Sequence, residues 1–164
     1  MLIVRSENKV YFWSGFRRMN DKQLLTAMER LSWSEDLKQN PSWQHETADE
    51  NALLSLLKGT CLRFLNRIPE AKAMLTDNVI SHDLVILKTC ENPDTWPLPV
   101  AHYELAVCLW QQAGGQDGDK AGLRQCSEEL AKIEKWESFD LETRVGLKVT
   151  TARETLRRCG IQAS

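Results

Sequence analysis

The sequence predicts an all-α fold, a right-handed α-solenoid built from antiparallel helix pairs. Three observations support this prediction. Apolar residues recur at spacings of three and four between a small number of Gly and Pro breaks, as on one face of a helix. No run of alternating apolar and polar residues is long enough for a useful β-strand. The predicted helices also come in pairs, and three first helices carry a small residue that a neighbouring helix could approach closely.

The first helix pair is expected over about 8–39. Its first helix covers residues 8–19 and is apolar on more than one side, because four aromatic residues lie close together. Asn20–Asp21 can cap the second helix, since a side-chain oxygen at that position accepts hydrogen bonds from free amides of the first turn. The aromatic residues are Tyr11, Phe12, Trp13 and Phe16.

The second pair is expected over about 47–80. Thr47 and Glu50 have the spacing of a capping box, in which the hydroxyl and the carboxylate each satisfy a free amide. A wide apolar face follows from Leu53 to Leu65. Pro69 suits the first turn of the second helix, because proline has no amide hydrogen to lose there.

A third pair is expected over about 99–135, and a final helix over 138–159. The prolines between 92 and 99 predict a loop before the third pair, and the short apolar run at 84–87 fits either a helix or a strand. Asp119 can cap the helix that follows the glycine-rich loop at 114–118. The final helix has one apolar stripe, and its other faces carry Arg144, Lys148, Arg153, Arg157 and Arg158.

The small residues of the three first helices are Gly15, Gly59 and Ala106. Gly59 is followed by a turn residue, Asn66, and then by Ala71. This order of positions is typical of the tetratricopeptide repeat, in which two helices interlock at the small residues. The intervals from Gly15 to Gly59 and to Ala106 exceed the usual period of about 34 residues, so the repeats carry insertions. The whole chain, 1–164, is therefore expected to form one tetratricopeptide-like domain.

Four segments of the chain resemble successive motifs of a known family. They are YFWSGF at 11–16, LLKGTCLRFLNR at 56–67, HYELA at 102–106 and LETR at 141–144. In this order and spacing they resemble the tetratricopeptide repeat protein 39 family, whose fungal branch is known as the inclusion body clearance proteins. Members of that family are much longer, and this chain resembles their C-terminal part. The resemblance implies a cytosolic adaptor connected with protein inclusions, lipid droplets or the mitochondrial surface.

Amino-acid composition limits which partners and which cellular compartment are expected for the protein. The 21 Lys and Arg against 23 Asp and Glu give a formal net charge of -2, so no basic field is available to hold nucleic acid. Five widely spaced cysteines without a CxxC pair are expected to be reduced and mostly buried. No apolar run approaches the roughly 20 residues of a membrane span. We expect a cytoplasmic protein without a transmembrane segment, also located in the nucleus or peripherally at an organelle surface.

No enzyme site is expected. The three histidines are scattered, and no motif pairs them with each other or with a carboxylate for metal binding or acid–base catalysis. The glycine-rich loop at 114–118 lacks the Gly-Lys-Ser/Thr ending of a phosphate-binding loop. We therefore predict that the chain is not an enzyme and takes neither a cofactor nor a metal.

Nine residues are candidates for binding a partner protein. The N-terminal aromatic residues cannot all face inward, which predicts an exposed patch that docks upstream repeats or a second copy of the chain. Arg63, Trp110 and Gln111 are expected on helix faces that line the concave groove, although Trp110 could instead fill the core. The basic surface of the final helix fits an acidic partner, an anionic membrane surface or simple solvation. The candidates are Tyr11, Phe12, Trp13, Phe16, Arg63, Trp110, Gln111, Arg144 and Lys148.

These observations favour a non-catalytic scaffold or adaptor whose partners are other proteins. The alternative is a lipid- or sterol-handling helical module, in which the wide apolar faces enclose a ligand. An enclosed apolar cavity would favour the alternative, whereas a filled core with an open groove would favour the adaptor.

The cysteine pattern generates a first testable prediction. Because no two cysteines are closely spaced and the compartment is expected to be reducing, adding dithiothreitol should leave the melting temperature unchanged. Differential scanning calorimetry with and without the reductant measures this directly. A clear fall in melting temperature would reveal a disulfide and contradict the expected compartment.

Overall fold

The chain folds into packed α-helices, which confirms the all-α prediction. The computed structural model describes residues 10, 11, 14–81, 96–134, 136 and 142–162, and no strand occurs within these ranges. The apolar run at 84–87 and Cys90 lie outside the described residues. Six α-helices are described: α1 Asp21–Glu35, α2 Ala48–Phe64, α3 Ile68–Leu75, α4 Pro97–Ala113, α5 Lys120–Glu134 and α6 Glu142–Arg158. None of these six has both the length and the apolar character needed to cross a membrane.

The helices stack as consecutive hairpins. Helix α1 packs on α2, α2 on α3, and α4 on α5, while α2 also contacts α4 and α4 contacts α6. Contacts between every second helix are what a solenoid of helix pairs produces, because each repeat buries its faces against its neighbours. Polar side chains reinforce the stack: Lys58 on α2 pairs with Glu35 on α1, and Arg153 on α6 pairs with Glu134 on α5.

The N-terminal segment differs from the expected helix over 8–19. The helical segment that includes Val10 and Tyr11 ends before Ser14, which has a positive φ of 56°. Gly15 donates its amide hydrogen to the carbonyl of Val10, and a short 3₁₀ turn, Phe16–Arg18, follows. Gly15 therefore lies just beyond the helix end. The expectation that Gly15 sits at a helix crossing is wrong, because its close neighbour is Val10 of its own segment.

The cap of α1 confirms one local prediction, and the cap of α2 corrects another. Asn20 accepts from the Gln23 amide, and the Gln23 side chain accepts from the Asn20 amide in return. At α2 the Thr47 side chain makes no capping hydrogen bond, and Glu50 is buried. The predicted capping box is therefore wrong, because the carboxylate that it requires is taken into the interior.

Helices α2 and α3 cross at Gly59, as the small-residue pattern predicts. A Cβ atom added at Gly59 would lie 2.9 Å from Leu75 Cγ on α3, so only glycine allows this approach. Asn66 follows α2 with a φ of 58°. The amide of Arg67 donates a hydrogen bond to the carbonyl of Leu62 at 2.9 Å. This is the left-handed C-terminal cap that glycine or asparagine favours. Pro69 lies in the first turn of α3, as predicted.

Among the described helices, α4 and α5 pack most extensively against each other, and α6 contacts both of them. The Asp119 carboxylate accepts from the Gly122 amide at 2.8 Å, which confirms the predicted cap of α5. His102 on α4 contacts Glu129 on α5 through Nδ1 and Oε2 at 2.8 Å. Burial would raise the pKa of Glu129, but hydrogen bonds from His102 and Lys132 outweigh it and lower that pKa. No local pattern in the sequence indicates this histidine–carboxylate pair, because its members are 27 positions apart.

Helix glycines give a matched test of the α2–α3 crossing. Gly59→Leu should lower the free energy of unfolding by about 3 kcal/mol, because the added side chain overpacks a tight interior. Gly146→Ala on α6 should raise it by about 0.5–1 kcal/mol, because an alanine stiffens the helix and its Cβ would meet no described atom within 4 Å. Urea unfolding followed by circular dichroism measures both. Equal stability of Gly59→Leu and wild type would contradict the crossing.

Candidate partner-binding site

An apolar groove runs between α4 and α6. It encloses about 480 Å³ and is open to solvent along one side. Leu147 on its rim is 71% exposed, so a large aliphatic side chain is open to solvent beside the groove. The α4 wall is Tyr103, Ala106, Val107 and Trp110, the α6 wall is Leu147, Lys148, Thr151, Ala152, Thr155 and Leu156, and the α5 floor is Cys126 and Leu130.

Helical periodicity places these side chains in two facing stripes. On α4 the lining positions recur at intervals of three and four, from Tyr103 to Trp110, so they share one face. On α6 they recur as adjacent pairs every four residues, from Leu147 to Leu156. At a rise of 1.5 Å per residue this α6 stripe is about 14 Å long, enough for two turns of a partner helix.

A second, polar cavity of about 370 Å³ adjoins the groove. Tyr103, Val107 and Lys148 line both spaces, so the two form one continuous surface. The polar cavity also has walls from the N-terminal segment and from α2. Its remaining lining residues are Tyr11, Ser14, Phe16, Arg17, Arg63, Phe64 and Glu104.

A buried ion pair forms the inner wall of the polar cavity. Glu104 on α4 is 2% exposed, and its Oε2 accepts from Nε of Arg63 on α2 at 2.6 Å. Its Oε1 accepts from the Tyr11 hydroxyl at 2.8 Å. Burial and the neighbouring Glu104 hold the pKa of Tyr11 well above its ordinary value. Burial alone would lower the pKa of Arg63, but attraction to Glu104 outweighs it and raises that pKa.

Lys148 lies where the polar cavity meets the groove. Its ammonium nitrogen is 4.4 Å from the ring centre of Tyr11 and 5.6 Å from that of Tyr103, so it takes part in cation–π contacts. Burial lowers the pKa of Lys148, and attraction to Glu104 only partly opposes this effect. Burial also raises the pKa of the Tyr103 hydroxyl to about 12.

The N-terminal candidates are only partly consistent with the predicted exposed patch. Tyr11 and Phe16 are buried inside the same domain, where Tyr11 also stacks on Trp96 with ring centres 6.5 Å apart. These two side chains therefore add nothing to an exposed patch, and for them that expectation is wrong. Phe12 and Trp13 lie outside the described residues.

The other candidates divide between the cavity and the surface. Arg63 lines the polar cavity, Trp110 is half-buried in the groove wall, and Lys148 lies at the junction. Gln111 and Arg144 are exposed. The rest of the basic surface of α6 is largely engaged within the chain, since Arg153 pairs with Glu134, and Arg157 and Arg158 pair with Glu154.

Sequence reasoning missed three residues of this site. Glu104 carries the ion pair, Tyr103 supports Lys148, and Leu147 forms the rim of the groove. An acidic residue within the buried stripe of α4 was the available signal for Glu104, because a carboxylate is rarely buried without a partner. Within the described ranges no group of three His, Cys, Asp or Glu side chains could hold a metal ion.

Comparison with known proteins identifies relatives. The family model described as Iml2/Tetratricopeptide repeat protein 39 matches residues 1–65. The inclusion body clearance protein iml2 of Aspergillus niger is 37% identical over 172 residues, covering 93% of this chain and 25% of that protein. The inclusion body clearance protein of Schizosaccharomyces pombe is 31% identical over 151 residues, covering 92% and 23% respectively. The chain thus spans about a quarter of the length of these relatives. No solved structure matches it.

The buried ion pair generates a stability prediction. Glu104→Met should lower the free energy of unfolding by about 3–5 kcal/mol, because it leaves the buried Arg63 charge uncompensated. The double variant Arg63→Met, Glu104→Met should lose much less than the sum of its single variants, since no buried charge remains. Urea unfolding of all four chains completes the cycle. Arg67→Met, which breaks an exposed pair with Glu70, is the control and should change little. Additive effects would contradict a direct Arg63–Glu104 interaction.

Proposed function

The chain belongs to the Iml2/tetratricopeptide repeat protein 39 family, and from this premise we propose that it is a protein-interaction module, an adaptor that serves the clearance of protein inclusions. The observation that carries the proposal is the open apolar groove between α4 and α6. The link to inclusions comes from the name of its relatives, which are called inclusion body clearance proteins.

The groove has the chemistry of a protein-binding surface. It combines an aromatic wall residue, Trp110, with an exposed aliphatic rim residue, Leu147. Tryptophan is one of the residue types that contribute most of the affinity at protein interfaces. Covering Leu147 with a partner would remove an exposed leucine from water, which is worth about 1.5–3 kcal/mol. The groove therefore offers a clear gain in free energy to a partner with apolar side chains.

The alternative function is the handling of a lipid or sterol. The apolar lining of the groove is compatible with such a ligand. Its open side, which would leave one face of a lipid in water, supports the adaptor instead. A fluorescent sterol added to the purified chain separates the two functions, because saturable binding with strong blue-shifted emission is expected only of the alternative.

Further parts of the proposal concern location and assembly. We propose a cytoplasmic adaptor without catalytic activity, also located in the nucleus or peripherally at the surface of lipid droplets or mitochondria. Self-association through the N-terminal segment stays a prediction, with Phe12 and Trp13 as the residues that would make the contact. Size-exclusion chromatography with light scattering tests it, and a monomer at all concentrations would contradict it.

A chimera tests the adaptor function in cells. In Schizosaccharomyces pombe, this chain would replace the matching segment of the inclusion body clearance protein, and clearance of a fluorescent aggregation-prone reporter would be timed. Leu147→Asn should weaken partner binding about ten-fold or more and slow clearance. Leu25→Asn on α1, another exposed leucine, is the matched control and should leave clearance unchanged. Both changes leave the net charge unaltered, so only the apolar contribution is tested. Normal clearance with Leu147→Asn would contradict a role for the groove.

A further inference from the structure

The polar cavity beside the groove has an excess of positive charge. Three cationic side chains line it, Arg17, Arg63 and Lys148, against a single carboxylate, Glu104. Both carboxylate oxygens of Glu104 already accept hydrogen bonds, one from Arg63 and one from Tyr11. Both oxygens of Glu104 therefore have a donor within the fold, and the three cationic side chains can still pair with a further anion.

Arg63 uses only part of its guanidinium. Its Nε donates to Glu104, but neither Nη nitrogen has a hydrogen-bond acceptor among the residues that the structure describes. Arg63 as a whole is 8% exposed and lines the cavity. A guanidinium presents its donors as a planar fork that matches two oxygens of a carboxylate. Neither Nη nitrogen is among the described side-chain atoms that are buried without a partner, so both reach the cavity and can donate to an acceptor there.

Lys148 and Arg17 also lack an anionic partner within the described part of the chain. The Lys148 ammonium is held over the Tyr11 and Tyr103 rings, which fix its position without neutralising its charge. Arg17 is exposed at the edge of the cavity. By contrast, Arg153, Arg157 and Arg158 of α6 are all paired with glutamates of this chain. Two of the three cations that line the cavity therefore have no anionic partner among the residues that the structure describes.

We propose that the polar cavity receives a carboxylate of the partner protein, and that apolar side chains next to that carboxylate fill the groove. This inference rests on the proposed function and names the chemistry of the partner segment. Continuity supports it, because Tyr103, Val107 and Lys148 line both spaces. A short peptide that carries an acidic residue, or its own C-terminal carboxylate, beside apolar residues matches both the charge and the lining.

Selection from random peptides displayed on phage tests the chemistry without a known partner. The full chain would be immobilised, and enriched peptides would be sequenced. Wild type should enrich peptides with an acidic residue or a free C-terminus beside apolar residues. Lys148→Met keeps an alkyl stem over the two tyrosine rings, and Arg17→Gln is a change at the surface, so both should fold. Each should still enrich apolar residues and lose the acidic preference. Lys38→Gln, an exposed lysine remote from the cavity, should select as wild type does.

The affinity of one enriched peptide, measured with and without its carboxylate, shows how much the carboxylate contributes to binding. Replacing its acidic residue by the corresponding amide should weaken binding to wild type about ten- to hundred-fold, as expected for a charged hydrogen bond. The same replacement should change the affinity of the peptide for Lys148→Met only a little. Arg63 is left unchanged throughout, because its removal would leave Glu104 buried and unpaired. Thermal melting of each variant verifies that it is folded.

The outcomes separate the two proposals. Enrichment of apolar peptides with no acidic preference would overturn the carboxylate inference and leave the adaptor function standing. Equal affinity of the acidic peptide and its amide would do the same. If no peptide is enriched while a fluorescent fatty acid binds wild type and not Lys148→Met, the carboxylate belongs to a lipid, and both proposals fail.

Discussion

The buried carboxylate of Glu104 is the interaction on which the rest of this structure depends. A charge at this depth is tolerated only when its oxygens are satisfied, and here Arg63 and Tyr11 satisfy one oxygen each. These two partners come from α2 and from the N-terminal segment. These two hydrogen bonds therefore hold α4, α2 and the N-terminal segment in place relative to one another. It also positions the Tyr11 ring over which Lys148 lies.

Close packing at one end of the stack and looser packing at the other leave the groove open. Gly59 lets α2 and α3 approach until a Cβ would clash with Leu75. Helices α4 and α5 pack intimately, whereas α6 makes fewer contacts with either of them. Because α6 does not close against α4, an open groove with α5 as its floor remains between them. The groove thus results from the limited contact of α6 with α4 and α5.

In the binding that we propose, the groove and the polar cavity together select the partner. Apolar contact in the groove supplies affinity but discriminates poorly between apolar segments. The unused donors of Arg63 and the unpaired charge of Lys148 add a directional requirement, because an uncharged segment would leave them buried without an acceptor. The Tyr103 ring, which lines both spaces, links the two requirements. This combination suits the adaptor role that we propose for the chain.

The sequence by itself determined what depends on neighbouring residues. Helical periodicity from residue 21 onward, the caps at Asn20 and Asp119 and the crossing at Gly59 follow from local spacing, and the structure agrees with each of them. The helix expected over 8–19 is instead interrupted at Ser14. The capping box at Thr47 failed because burial of Glu50 overrode a local preference. Only the tertiary structure decided the site, since Glu104 lies 93 positions from Tyr11 and 41 from Arg63. Contacts over such separations depend on how whole helices pack, and a single sequence without its fold does not encode their geometry in any local pattern.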